Sequence, residues 1–176
     1  MGPRVNISLA GDLPPELYPL SWLVGTWKGE GVVSYAGIEQ SAISQTLSFS
    51  HNGGPYLNYN AVTHLVDQSG SDGQVWSQES GFWRVTPGQN QPDPPFELEV
   101  FLADPAGVLT LYLGQVNGPR IDLGSDAMVR SASAAEMNAA TRMYGLVEGD
   151  LLWAWDMAAF GHPLSSYLSA RLNRCA

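Results

Sequence analysis

The chain has a single cysteine, Cys175, a single lysine, Lys28, and three histidines among its 176 residues. One cysteine excludes an internal disulfide and a cysteine metal cluster within one chain. Eight basic side chains against seventeen acidic ones leave a formal charge of −9. That field repels a phosphate backbone and gives no attraction to an anionic membrane leaflet, so no nucleic-acid partner is expected. No apolar run approaches the length of a membrane span, and the opening MGPRVNISLAGDLPPEL lacks a continuous apolar signal core. A cytoplasmic protein without membrane insertion is the expectation. The NIS triplet at 6–8 would bear on glycosylation only in a secreted chain.

What is present is core material. Hydrophobic residues make up 44% of the chain and charged ones 14%, with six Trp and seven Tyr. This composition and length fit one domain over 1–176, with 1–13 as a flexible lead-in. PPELYPLSWLVG, residues 14–25, reads as a short helix with Leu17, Leu20, Trp22 and Leu23 on its apolar side. Strand follows strand thereafter. ISQTLSFS alternates, HNGGP at 51–55 is turn chemistry, and YLNYNAVTHLV and QVWSQESGFWRV continue the pattern on either side of another connection. After the proline-rich loop at 86–95, two strands flank DPAG, and a later hairpin turns at EGD, 148–150. Residues 126–143 leave a helix and a pair of strands around SASAAE both open. Many short strands without βα alternation predict an all-β fold, a closed antiparallel barrel or a sandwich.

GTWKGEG, residues 25–31, raises the question of a phosphate loop. It lacks the GK[ST] ending and a following helix, and its spacing is not GxGxxG. Trp27, Gly29, Gly31 and Val33 instead share one face of a strand, with glycine permitting curvature and Trp27 supplying core bulk.

The segment PLSWLVGTWKGEGVVSY resembles the start of the nitrobindin family, whose GxWxGxG motif is matched by Gly25, Trp27, Gly29 and Gly31. The resemblance continues through FSHNGGPYLNYNAVTHL, SQESGFWRV and GHPLSSYLSARLNR, covering roughly 14–174. It implies a ten-stranded, closed antiparallel barrel like those of fatty-acid-binding proteins and lipocalins. It also implies haem b in a hydrophobic cavity, with nitric-oxide binding or peroxynitrite isomerisation assigned to some members. The family's proximal haem histidine is placed by the resemblance on the last strand, in an L-H-R context. This chain has Leu172, Asn173 and Arg174 there, so Asn173 takes the ligand position, and Ser77 stands where a histidine commonly precedes E-x-G. An asparagine amide is a weak ligand for haem iron.

The residues themselves leave His51 as a turn residue, His64 as a packed strand residue and His162 as a loop histidine. Period-2 alternation points Leu168, Ala170 and Leu172 inward, whereas the family register points Asn173 toward the cavity; both readings stand at this stage. Glu97 and Glu99 share what reads as a solvated strand face, and no spacing makes Glu79 or Asp156 half of an acid–base pair. No nucleophile elbow, catalytic residue or metal cluster is identified. The expected function is a barrel binding a small hydrophobic ligand without stable haem, fatty acid being one class that the fold resemblance suggests and Arg84 and Arg171 the candidates for a polar end. The rivals are a haem nitrobindin or peroxynitrite isomerase with an atypical axial ligand, and a non-enzymatic module with a filled pocket. A homodimer through exposed apolar barrel surface is a further expectation.

Overall fold

The computed structural model describes residues 12–175. Most of the lead-in expected over 1–13 lies outside them, and Leu13, at its end, belongs to the core. A 3-10 helix, Pro15–Leu23, precedes ten strands: β1 Gly25–Tyr35, β2 Ile38–Ser50, β3 Leu57–Val66, β4 Asp72–Val85 and β5 Phe96–Asp104, then β6 Val108–Asn117, β7 Arg120–Arg130, β8 Met137–Val147, β9 Asp150–Ala159 and β10 Ser165–Arg174. Every strand pairs antiparallel with its neighbours in sequence, and β1 closes the barrel against β10. The expected ten-stranded closed barrel with a short N-terminal helical segment is the observed architecture. Residues 126–143 resolve into the end of β7, a turn and the start of β8.

The helix is of the 3-10 type, and its apolar spacing fits three residues per turn. Leu17, Leu20 and Leu23 recur every third position and are fully buried. They plug one end of the barrel. Trp27 Nε1 donates to Leu23 O at 2.8 Å, fixing the helix to β1. At the far end of the chain, the Arg174 guanidinium donates to Val24 O and Trp22 O and lies 4.1 Å from the Trp27 ring centre. First and last elements are thereby clamped at one corner.

The glycine motif is a device for that closure. A Cβ on Gly29 would come within 2.1 Å of Arg171 O, and one on Gly31 within 2.1 Å of Ser169 O, both backbone atoms of β10. Any side chain there would push β1 off its partner. GTWKGEG thus forms strand β1, with Trp27, Val33 and Tyr35 buried along its inner face.

Candidate functional site

The helix closes one end of the barrel; the other is ringed by the β1–β2, β3–β4, β5–β6, β7–β8 and β9–β10 turns. At this mouth the hydrogen-bond ladders skip single residues. Across β3–β4 Thr63 faces Ser77 while His64 faces Val75, so Trp76 is passed over. Across β9–β10 Asp156 faces Ser166 while Trp155 faces Leu168, so Tyr167 is passed over. Such bulges re-aim side chains at barrel rims. The two re-aimed residues meet: Trp76 Nε1 donates to the Tyr167 hydroxyl at 2.6 Å. Tyr167 also packs edge-on to Trp155 at 4.9 Å and to Tyr35 at 6.2 Å between ring centres. Tyr35 anchors the rim by donating to Met157 O at 2.9 Å and accepting from Ala159 N at 3.0 Å.

Below this aromatic rim lies a buried polar centre. Arg142 on β8, 3% exposed, donates to both carboxylate oxygens of Glu79 on β4, 8% exposed, at 2.7 and 2.8 Å. Arg142 Nε donates to Tyr112 at 3.1 Å, and the Tyr59 hydroxyl donates to Glu79 at 3.3 Å. Burial works against the charged guanidinium, but Glu79 and the neighbouring phenols more than offset it and hold Arg142 protonated. Burial likewise pushes the Tyr59, Tyr112 and Tyr144 phenols up, keeping them neutral donors. Arg142 lies 4.1 Å from the Trp155 ring centre, within cation–π range. Deeper still, Trp153 Nε1 donates to Gln45 Oε1 at 2.7 Å, and Gln45 Nε2 donates to Thr63 at 2.8 Å. Tyr144 stacks on Trp153 with centres 5.1 Å apart, and Trp83 meets Tyr144 edge-on.

Beside this centre, toward the β5–β6 turn, is a chamber of about 10 Å³, lined by Glu79, Asp104, Thr110, Tyr112, Arg142 and Trp155, with Leu102, Val108 and Met137 on its apolar side. That is about the room one oxygen atom or water needs. Trp155 Nε1 is buried and has no hydrogen-bond partner. Burial raises the Asp104 carboxyl, against a hydrogen bond that it accepts from Ala106 N at 2.6 Å. Larger hollows of about 610 and 660 Å³ lie on the outer surface, against Phe82, Phe101 and Val129 and against Val32, Met143 and Leu152. The wall beside the chamber has a seam. The β7–β8 ladder stops at Gly124 and Thr141, and beyond it Ala140 N donates to the Ser125 hydroxyl at 3.0 Å.

The residues singled out from the sequence fall elsewhere. Asn173 faces outward, exposed, and donates to Asp150 Oδ1 at 2.6 Å. The alternation reading of β10 holds, with Leu168, Ala170 and Leu172 buried, and the cavity-facing register suggested by the resemblance does not occur. Among buried β10 side chains only Tyr167 carries a ligating atom. Arg84 pairs with Glu99 on the outer wall and Arg171 with Asp150, so neither forms a polar end inside; Arg142 does. His64 is half-buried on β3, His162 is exposed beside Tyr35, and His51 lies in the β2–β3 connection, where its buried Nδ1 has no partner. Ser77 lies on β4 opposite Thr63. Sequence reasoning missed Arg142, although a charged residue on the alternate face that carries Ala140 and Tyr144 was the available signal.

Haem b, which the resemblance implies, does not fit this interior. Among the described residues no imidazole projects into it. Its one buried β10 donor, Tyr167, is a phenol raised by burial and engaged by Trp76. The chamber, at about 10 Å³, is far below the roughly 300–1,000 Å³ of pockets that bury a drug-sized ligand, and a porphyrin needs at least that.

Residues 16–174 match the model of the THAP4-like, heme-binding beta-barrel domain. A ferric nitrobindin-like protein of Kineococcus radiotolerans is 46% identical, with 96% of this chain and 98% of that one aligned. A similar protein of the same description from Beutenbergia cavernae is 42% identical over 98% of this chain and all of its own. A peroxynitrite isomerase of Kocuria rhizophila is 40% identical, covering 96% and 95%. The crystal structure of Rv2717c from M. tuberculosis superposes with a TM-score of 0.79 at 31% identity, covering 93% of this chain and 99% of that one.

Proposed function

This chain belongs to the THAP4-like, heme-binding β-barrel family, and from that premise we propose that it binds a small apolar molecule at the barrel mouth in place of haem. It is a nitrobindin-like barrel capable of binding a small hydrophobic ligand. The observation that carries the haem-free reading is the interior itself, where aromatic side chains and the Glu79–Arg142 pair fill the space and no imidazole enters. An apolar ligand seated between Met137, Val108 and Trp155 would gain roughly 25 cal/mol per Å² of buried surface, less the cost of ordering it and moving the rim. Met137 is the adaptable wall, since an unbranched thioether side chain repacks readily.

The names of the relatives favour a second reading, haem-dependent peroxynitrite isomerisation. It requires an iron ligand from outside the present interior, which the buried residues do not supply. Tryptophan fluorescence during titration with heptane or cyclohexane tests the first reading. Saturable change at one ligand per chain supports it, and a linear response up to the solubility limit refutes it. The same reading includes a cytoplasmic location and, given the charge of −9, no nucleic-acid partner. It also allows two copies to pair through the outer face where Phe82, Leu109 and Val129 are exposed, which sedimentation equilibrium would register. Among the described residues no helix is long and apolar enough to cross a membrane.

A further inference from the structure

The chamber beside the Glu79–Arg142 pair is polar in a one-sided way. Trp155 Nε1 is a donor with nothing to donate to, and Trp155 is 6% exposed. The Tyr112 hydroxyl accepts from Arg142 Nε, which leaves its own proton to point elsewhere. The Thr110 hydroxyl lies on the same wall. Of the acceptors nearby, both Glu79 oxygens take Arg142, one of them also takes Tyr59, and Asp104 Oδ1 takes Ala106 N, while none of them accepts from Trp155 Nε1. A buried donor without a partner costs free energy that an incoming acceptor would recover.

Charge narrows what that acceptor can be. The single guanidinium is matched by Glu79 in a bidentate pair, and Asp104 lines the same space. A carboxylate head would bring a further anion beside two acidic groups and one cation, and would have to displace Glu79 to reach Arg142. The raised Asp104 carboxyl is what a space unreceptive to more negative charge produces. A neutral oxygen satisfies the donors without that penalty. The chamber as it stands, about 10 Å³, has room for the oxygen, and the carbon body enters by displacing Met137 on the apolar side formed with Leu102 and Val108.

We propose that the chamber is the head-group site for a neutral carbonyl compound, a ketone or aldehyde with an apolar body, whose oxygen accepts from Trp155 Nε1. This rests on the apolar-ligand reading above and adds the class of head group to it. No covalent step is involved.

Nitrogen–proton correlation NMR tests it on the intact protein, using 2-heptanone, heptane and heptanoate as probes. The chain has six tryptophans, and the indole signal of Trp155 is the one lost in Trp155→Phe, or is assigned through the backbone if that variant does not fold. With 2-heptanone, the Trp155 indole proton should shift saturably along with the Met137 methyl. Heptane should move the Met137 methyl and leave the indole in place. One hydrogen bond should make the ketone about three- to tenfold tighter than the alkane, an advantage that Trp155→Phe removes. If the ketone moves the methyl but not the indole, the chamber holds water only and the head-group assignment falls while the apolar site stands. Heptanoate binding as tightly as the ketone overturns the neutral class. If none of the probes moves any interior signal, the apolar-ligand reading falls and takes this inference with it.

Discussion

Trp76 and Tyr167 are each the residue that a strand ladder skips, and their side chains meet across the barrel mouth at 2.6 Å. Two bulges on strands distant in sequence therefore build one latch. Tyr167→Phe removes the acceptor and leaves the Trp76 N–H without its partner. The expected cost is about 1–2 kcal/mol in urea denaturation. Because the latch spans the entrance, the same variant should take up an apolar ligand faster in stopped-flow fluorescence. An unchanged association rate would show that the latch does not limit entry.

Glu79→Ala leaves the Arg142 charge buried without its carboxylate. Losing one partner of such a pair costs about 3–5 kcal/mol, and chemical denaturation should show it. Replacing both, as Glu79→Leu with Arg142→Met, should restore most of that stability. If the double variant is no more stable than the single one, the charge is not the source of the loss.

Asp104 gives a pH dependence of known sign. Burial raises its carboxyl in the folded state, so the fold favours the neutral form. That contribution is fully present below the unfolded value of 3.8 and is lost as pH rises through the folded one. Asp104→Asn keeps an acceptor for Ala106 N and removes the charge. Its melting temperature should exceed that of the parent at pH 7, and the gap should close on acidification toward pH 4. A gap that widens on acidification would reverse the assignment.

Asn173→His restores the residue type that the family resemblance asks for on the last strand. Position 173 faces solvent and bonds to Asp150, so the new imidazole should not reach the interior. Haemin titration of the variant should give the same spectrum as the parent, without a new Soret component. Appearance of one would place the β10 register differently.

How far the sequence reached follows from the range of its signals. Alternation and Gly-containing turns are local, and they were sufficient for an all-β fold and for the inward row Leu168, Ala170 and Leu172, whereas the ten strands and their closure came from the family resemblance. A bulge breaks alternation by one residue without leaving a mark of its own, so the inward turn of Trp76 and Tyr167 was not legible. The Glu79–Arg142 pair joins residues 63 apart, and only barrel closure makes them neighbours. The direction of Asn173 was left open because alternation and the resemblance disagreed; its orientation is set by pairing, opposite Lys28 on the outward alternate of β1.

The central claim is that this member keeps the family's barrel without its haem. Native mass spectrometry of freshly purified protein, taken with its absorption spectrum, tests that claim most directly. The account predicts the mass of the chain alone, or of the chain with a small organic molecule, and no Soret band. A stoichiometric haem b adduct with a Soret band would contradict it.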